Sequence, residues 1–491
     1  MDISSPVSVT QATGSSAPNN KSNDRPRADH SGVFSLSFFG GQLTAMLTGG
    51  TVLKLSENTY RSRTVGRYVL RIIAAVLSLT VVISSVSVGS LAANDSSEVI
   101  VTLGHPITDD DFLQTDGKKI VNRKGQEVSL RGVNLGAWLI QEEWMCPVEN
   151  SVDNITTFEV LTERFGVEKA YELLNTYADN WITEVDLDNI ASMGFNCVRV
   201  PFWYRNFYYD DKGTKILDEN GEWDFSRLDW VVEECGKRGI YVILDLHGAP
   251  GYQNNKEHCG KINSCGLFKL TKQAEAWRKL TIELWVAVAE RYSGNPAVAM
   301  YDLLNEPMCD VASYIEKNNL KTISLYSRLY DAVRSVDNDH IITMEGIWRL
   351  YNLPAPWLMG WSNVVYQLHF YNKTNFGFKL LLFTALLYPY NVPLYVGEFK
   401  SLGSATWDAI LGTMNKWNYS WTIWSYKGTG WGAETSEWYL YGGKTDVITN
   451  ADVRNDSYEE IALKWGEVLR TDESFVSTGN FENNIKPYVN N

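Results

Sequence analysis

The sequence predicts an α/β protein built around a (β/α)₈ barrel with loop insertions. Three observations carry that prediction. Eight short apolar, β-prone runs alternate with amphipathic stretches over roughly 350 residues, the pattern of parallel strands joined by helical crossovers. Acidic, amide, imidazole and indole side chains gather at the C-terminal ends of those runs, where such barrels carry their chemistry. The hydrophobic content, 44% of 491 residues, supplies a large core.

Taken in order, residues 1–67 are rich in Ser, Asn, Thr and Gly. They have little apolar periodicity beyond a patch at 33–39, and they read as a disordered polar tail. Arg61, Arg63, Arg67 and Arg71 then precede an uncharged run from Ile72 to Asn94. That is the charge asymmetry of an export signal. Residues 68–94 are expected to be a cleaved signal peptide, with Ser90-Leu91-Ala92 as the small-residue site, or a retained single-pass signal-anchor helix. Either outcome puts the chain from Asp95 outside the cytosol, secreted or held at the cell surface. A linker over 95–114 leads to a catalytic domain over 115–480, which opens with a hairpin of 118–121 against 127–130.

The expected barrel strands are 130–135, 196–201, 240–247, 297–305, 341–345, 364–369, 394–397 and 421–424. Helical patterns fall between them, at 185–193, 228–238, 274–291 and 323–336. Insertions at 142–181 and 376–390 stand outside the basic plan. Strand one ends near Asn134 and Glu142, strand two carries Arg199, and strand three ends at His247. Strand four ends at Asn305-Glu306, strand six at His369 and Tyr371, strand seven at Glu398, and strand eight at Trp424.

Glu306 and Glu398 stand out because each closes an apolar run, Leu303-Leu304-Asn305-Glu306-Pro307 and Tyr395-Val396-Gly397-Glu398-Phe399. A paired acid and carboxylate is what glycosidic-bond cleavage needs. The departing oxygen must be protonated while the anomeric carbon is stabilised or trapped. Composition narrows the alternatives. A net charge of −14 and a pI near 5.0 leave no basic footprint for nucleic acid. Six His with no H-E-x-x-H or paired C-x-x-C disfavour a metal mechanism. Phosphate-binding and nucleotide-binding loops are absent from the sequence, so no cofactor is expected. The 18 Trp, 26 Tyr and 18 Phe exceed what a core needs and suit stacking on sugars.

The ordered set Arg131-Gly132-Val133-Asn134, Val198-Arg199-Val200-Pro201, Asp245-Leu246-His247-Gly248, Asn305-Glu306-Pro307, His369-Phe370-Tyr371 and Gly397-Glu398-Phe399 resembles glycoside hydrolase family 5, a retaining clan of barrel glycosidases. Two segments resemble its exo-β-1,3-glucanase branch: 131–142, and His247-Gly248-Ala249-Pro250-Gly251-Tyr252-Gln253-Asn254. Phe399-Lys400 departs from the Trp-Ser of that branch after the nucleophile.

The resemblance implies Glu306 as acid/base, Glu398 as nucleophile steadied by Arg199 and Tyr371, and a carboxyl separation of about 5 Å with retained configuration. It further implies Asn305 on the sugar 2-hydroxyl, His247 and His369 as hydroxyl-binding and orienting groups, Trp424 as subsite floor, and Glu142 on hydroxyls at the pocket bottom. The implied partner is a β-glucan, cleaved by a monomer. An endo-β-1,4-glucanase, another β-glycosidase of the same fold, and a silent surface sugar-binding protein are the alternatives.

Overall fold

In the computed structural model the described residues are 99–307, 319–347, 350–386, 388–429 and 438–490, together with three short strands nearer the N-terminus. The chain divides into two units, Met1–Ser96 and Ser97–Asn491. In the first, Ser35–Phe39, Gln42–Met46 and Val52–Leu55 pair antiparallel in chain order. Within the expected disordered tail these three strands are a correction, while the rest of 1–67 lies outside the described residues. Ser35-Leu36-Ser37-Phe38 alternates polar with apolar as a strand does. The expected signal or anchor segment, 68–94, lies outside the described residues. Among the described residues no helix is long and apolar enough to cross a membrane.

The second unit contains a closed barrel of eight parallel strands: β1 (Arg131–Asn134), β2 (Cys197–Trp203), β3 (Tyr241–Gly248), β4 (Val298–Asp302), β5 (Ile341–Glu345), β6 (Val364–Phe370), β7 (Leu394–Phe399) and β8 (Ser420–Ile423). Each strand pairs with its neighbour in sequence. β8 closes on β1 through Trp421–Arg131, Thr422–Gly132 and Ile423–Val133. Nearly every strand residue is buried, which is why the runs read as continuously apolar rather than alternating. β1 and β2 approach so closely that a Cβ on Gly132 would stand 1.8 Å from the Cys197 carbonyl oxygen. Only glycine closes the barrel at that point.

Two apolar layers hold the strands. Leu113, Ile120, Val128 and Leu130 join Tyr241, Ile243, Ile341, Val365 and Tyr395 in a cluster at the N-terminal end. The strands' other faces pack beneath helices such as Glu184–Ser192, Ser226–Lys237 and Lys272–Tyr292. The expected opening hairpin forms in part, with the Val128 N–H donating to the Ile120 carbonyl at 2.9 Å. Lys119–Val121 pairs mainly with Gln114–Asp116, turning at Gly117 with φ +58°. The 127–130 side contributes one bridge, Val121–Glu127.

The 142–181 insertion forms helices Asn154–Phe165 and Val167–Trp181. Asp153 caps the first, accepting from the Thr156 N–H at 2.8 Å. The wholly buried Trp181 donates its Nε1–H to the Gly136 carbonyl at 3.0 Å, and the Tyr177 hydroxyl donates to Ala137. A ring of this size removes roughly 150–250 Å² from water, worth on the order of 5 kcal/mol before the entropic cost of ordering it. These contacts brace the loop after β1, and that loop carries Glu142.

Candidate active site

Arg199, on β2, organises the C-terminal mouth of the barrel. Its guanidinium is fully buried and donates from Nε to Asp302 Oδ2 at 2.8 Å, from Nη1 to Asn134 Oδ1 at 3.1 Å and Glu398 Oε1 at 2.8 Å, and from Nη2 to Asn305 Oδ1 at 2.9 Å. Asp245 Oδ1 lies 3.1 Å from Nη2. Burial works against this charge, but Asp245, Asp302 and Glu398 outweigh it and hold the pKa well above the ordinary arginine value. Burial pushes Asp245 and Asp302 up to about 7 despite the guanidinium. One cation is therefore shared among three carboxylates, a network costly to leave incomplete.

Glu306 follows β4 and Glu398 lies on β7, across the mouth from it, and one atom each of Glu306, His369 and Glu398 lies within 4.8 Å of the others. Their surroundings differ. Glu398 accepts from Arg199 on Oε1 and from the Tyr371 hydroxyl on Oε2, both at 2.8 Å. Both of its oxygens therefore face donors.

Glu306 Oε1 lies 2.8 Å from His369 Nδ1, and Glu306 Oε2 lies 3.4 Å from His258 Nε2. Burial first, and then neighbouring positive charge, lowers the pKa of both histidines, His258 to about 3, so both are neutral near pH 7. The Gln367 amide nitrogen donates to Asp302 Oδ2 at 3.0 Å and lies 3.3 Å from His369 Nε2. That leaves the proton of His369 on Nδ1, where it donates to Glu306. The Asn254 amide nitrogen lies 2.9 Å from His258 Nε2, so the lone pair of that nitrogen accepts from Asn254 and the atom brings no proton to Glu306 Oε2. His369 thus donates to one carboxyl oxygen, while the His258 nitrogen beside the other is not a donor.

The backbone adds to this. Glu306 has φ +38°, and its N–H donates to Glu345 Oε2 at 2.5 Å. Glu345, at the end of β5, is buried. Burial, followed by Glu306, raises its pKa well above the ordinary carboxylate value. Gly397 lets the Gln367 amide pass under β7, since a Cβ there would lie 2.6 Å from Gln367 Cδ. Glu345, Gln367, His258 and Asp302 did not emerge from the sequence reading, and Asp245 entered it only within a motif, with no role. For Glu345 a signal was present: an acid closing an apolar run, as at Glu306 and Glu398.

The remaining expected residues line the same mouth. His247 Nδ1 lies 2.6 Å from Asp245 Oδ2, its Nε2 lies 3.3 Å from the Asn305 amide nitrogen, and its ring stacks on Trp424 at 5.5 Å and 13°. Glu142 is buried and accepts from Trp144 Nε1 at 2.8 Å, whereas Glu143 is exposed. Burial, opposed by that hydrogen bond and by Lys400 but aided by Glu398, pushes Glu142 up to about 8. Lys400 sits 3.7 Å from the Trp438 ring centre and 4.6 Å from that of Trp144. The cation at the position where the sequence departs from the exo-glucanase pattern therefore belongs to this wall. Glu306, His369 and Glu398 have the spacing of a cation site. Nδ1 of His369 is engaged as a donor, however, and an N–H offers no lone pair to a metal.

A family model described as Cellulase (glycosyl hydrolase family 5) matches residues 121–430. A protein named Beta-xylosidase from Phanerodontia chrysosporium is 32% identical over 269 residues, 54% of this chain and 53% of that protein. Proteins named Glucan 1,3-beta-glucosidase are 30% identical over 217 residues in Pichia angusta (43% and 47%) and 28% identical over 282 residues in Candida oleophila (51% and 61%). The chain thus spans about half the length of these curated relatives.

Proposed function

The chain belongs to the cellulase family of glycosyl hydrolases, family 5, resembling its glucan 1,3-β-glucosidase branch, and on that premise we propose that it is a retaining β-glycosidase of β-glucan, an exo-β-1,3-glucanase releasing glucose. Glu398 attacks the anomeric carbon while Glu306 protonates the departing oxygen. The same Glu306, now a base, then activates the water that releases the sugar. The observation that carries this reading is the different hydrogen-bond surroundings of two carboxyls that bring one oxygen each within 4.8 Å: donors on both oxygens of Glu398, and on Glu306 a donor from His369 with a non-donating His258 nitrogen beside the other oxygen. Oxygens this close support direct attack rather than the wider spacing that an interposed water needs.

In this reading Arg199 and Tyr371 keep the nucleophile ionised, His369 orients Glu306, and Asn305 and His247 bind hydroxyls. Trp424 forms the subsite floor, and Glu142 grips the non-reducing end, closing the pocket. Export through the 68–94 segment, ahead of a catalytic domain at 115–480, belongs to the same proposal. N-terminal sequencing of the mature protein checks it, a start after Ala92 marking a cleaved signal.

The relative named Beta-xylosidase favours one second reading, a pentose in place of glucose at the non-reducing end. Assays on laminarin, carboxymethylcellulose, aryl β-glucosides and aryl β-xylosides separate these. Early glucose alone from laminarin supports the proposal, early mixed oligosaccharides mean an open cleft, and a preference for the xyloside selects the second reading.

A further inference from the structure

A second cavity, of about 260 Å³, lies between the 138–141 stretch, the helices Asn154–Phe165 and Val167–Trp181, and residues 203–228. Glu306, Glu398, His369, Tyr371 and Trp424 are not among its lining residues. Gln141 lines it, is 5% exposed, and has neither Nε2 nor Oε1 hydrogen-bonded among the described residues. A primary amide offers two donors and an acceptor oxygen, and leaving such groups buried and unmet is destabilising. Arg205 Nε, on the same lining, is likewise unmet, and its residue is 8% exposed.

The lining indicates the class of ligand. Its cations already have counter-charges: Arg227 pairs with Asp179, and Arg205 lies 3.8 Å from Asp211. What remains unsatisfied among the described residues is neutral amide, phenol and indole hydrogen bonding, at Gln141, Tyr171 and Trp203, together with the Arg205 Nε–H, which asks for hydroxyls rather than an anion. Trp138, Tyr171, Phe207 and Tyr209 add flat apolar faces, with Tyr209 45% exposed. Pockets for drug-sized ligands begin at roughly 300 Å³, so this one takes something smaller.

We propose that this cavity is a second, non-catalytic saccharide site that holds one neutral pyranose ring, stacked on the aromatic wall with its hydroxyls on Gln141 and Arg205. The choice of a sugar over another neutral polyol rests on the glycosidase reading above. Gln141 adjoins Glu142, so a ring bound here braces the segment that walls the catalytic pocket.

Calorimetric titration of laminaribiose into the full-length Glu398→Gln chain tests this. Two sites are expected. One should weaken at least tenfold when Gln141→Leu or Tyr209→Ala is added, and the other when Glu142→Ala is added. Because Tyr209 is half exposed, its variant keeps the test valid if Gln141→Leu fails to fold. Failure of the catalytic assignment alone would leave the Tyr209-sensitive site in place. Two sites that persist in Tyr209→Ala overturn the proposal, as does a single site removed only by Glu142→Ala.

Discussion

The two halves of the barrel mouth use similar parts differently. Around Glu398 the partners are a guanidinium and a phenol, both donating at 2.8 Å. Around Glu306 they are two neutral imidazoles and a third carboxyl, Glu345, beneath its backbone N–H. Both glutamates are equally buried, at 5% exposure, so burial does not separate them. Hydrogen-bond polarity does. In a low-dielectric site such a difference weighs more than it would in water.

Removing the charged half should have the largest effect. Glu398→Gln keeps shape and hydrogen bonding but cannot attack carbon, so kcat should fall at least about 10³-fold, some 4 kcal/mol, with little change in Tm. A residual rate above a tenth of wild type would contradict the assignment. Arg199→Met should instead act on the fold. It strips the shared cation from Asp245, Asp302 and Glu398, and urea unfolding should show a loss of about 3–5 kcal/mol.

The neutral half should respond differently. In Glu306→Ala, glucan hydrolysis should drop about 10²–10⁴-fold. Aryl glycosides with good leaving groups should suffer less in the first step, and added azide should restore turnover as a glycosyl azide. Equal losses on both substrates, with no azide effect, would break the comparison. Glu345 sharpens it. Because its carboxyl is held neutral by burial, Glu345→Gln should stay within about threefold of wild type. Glu345→Ala should lose about 1–3 kcal/mol of stability by orphaning the Glu306 N–H.

At the rim the effects are smaller. Glu142→Ala should cost roughly 2–4 kcal/mol of transition-state binding and Glu143→Ala much less. Glu142 also gives a pH signature. Its pKa in the folded chain is raised to about 8, so the stability it contributes is full below the unfolded carboxylate pKa and is lost as pH rises through about 8. The Tm of wild type should therefore fall relative to Glu142→Gln between pH 5 and pH 9.

The sequence made the barrel legible because its strands are buried on both faces and so read as eight predominantly apolar runs. Glu306, Glu398, His247 and His369 could be found because each ends such a run. Asp245 and Asp302 lie inside β3 and β4, where a charge is visible in sequence but its counter-ion, Arg199, is not. His258 comes from a loop with no periodicity, and its bearing on Glu306 arises only when the loop after β3 folds over β4. The three-stranded sheet at Ser35–Leu55 was obscured by composition, since Ser, Thr and Gly dominate both disorder and tight hairpins.

The central claim is that the two carboxyls differ in role, with Glu398 bonding to the sugar. The most direct test is to trap the glycosyl-enzyme with an activated 2-deoxy-2-fluoro-β-glucoside and locate the added mass by peptide sequencing. The label should sit on Glu398 alone, and the first product formed from an ordinary substrate should be the β-anomer. A label on Glu306, or an α-anomer without any trapped intermediate, would contradict the account.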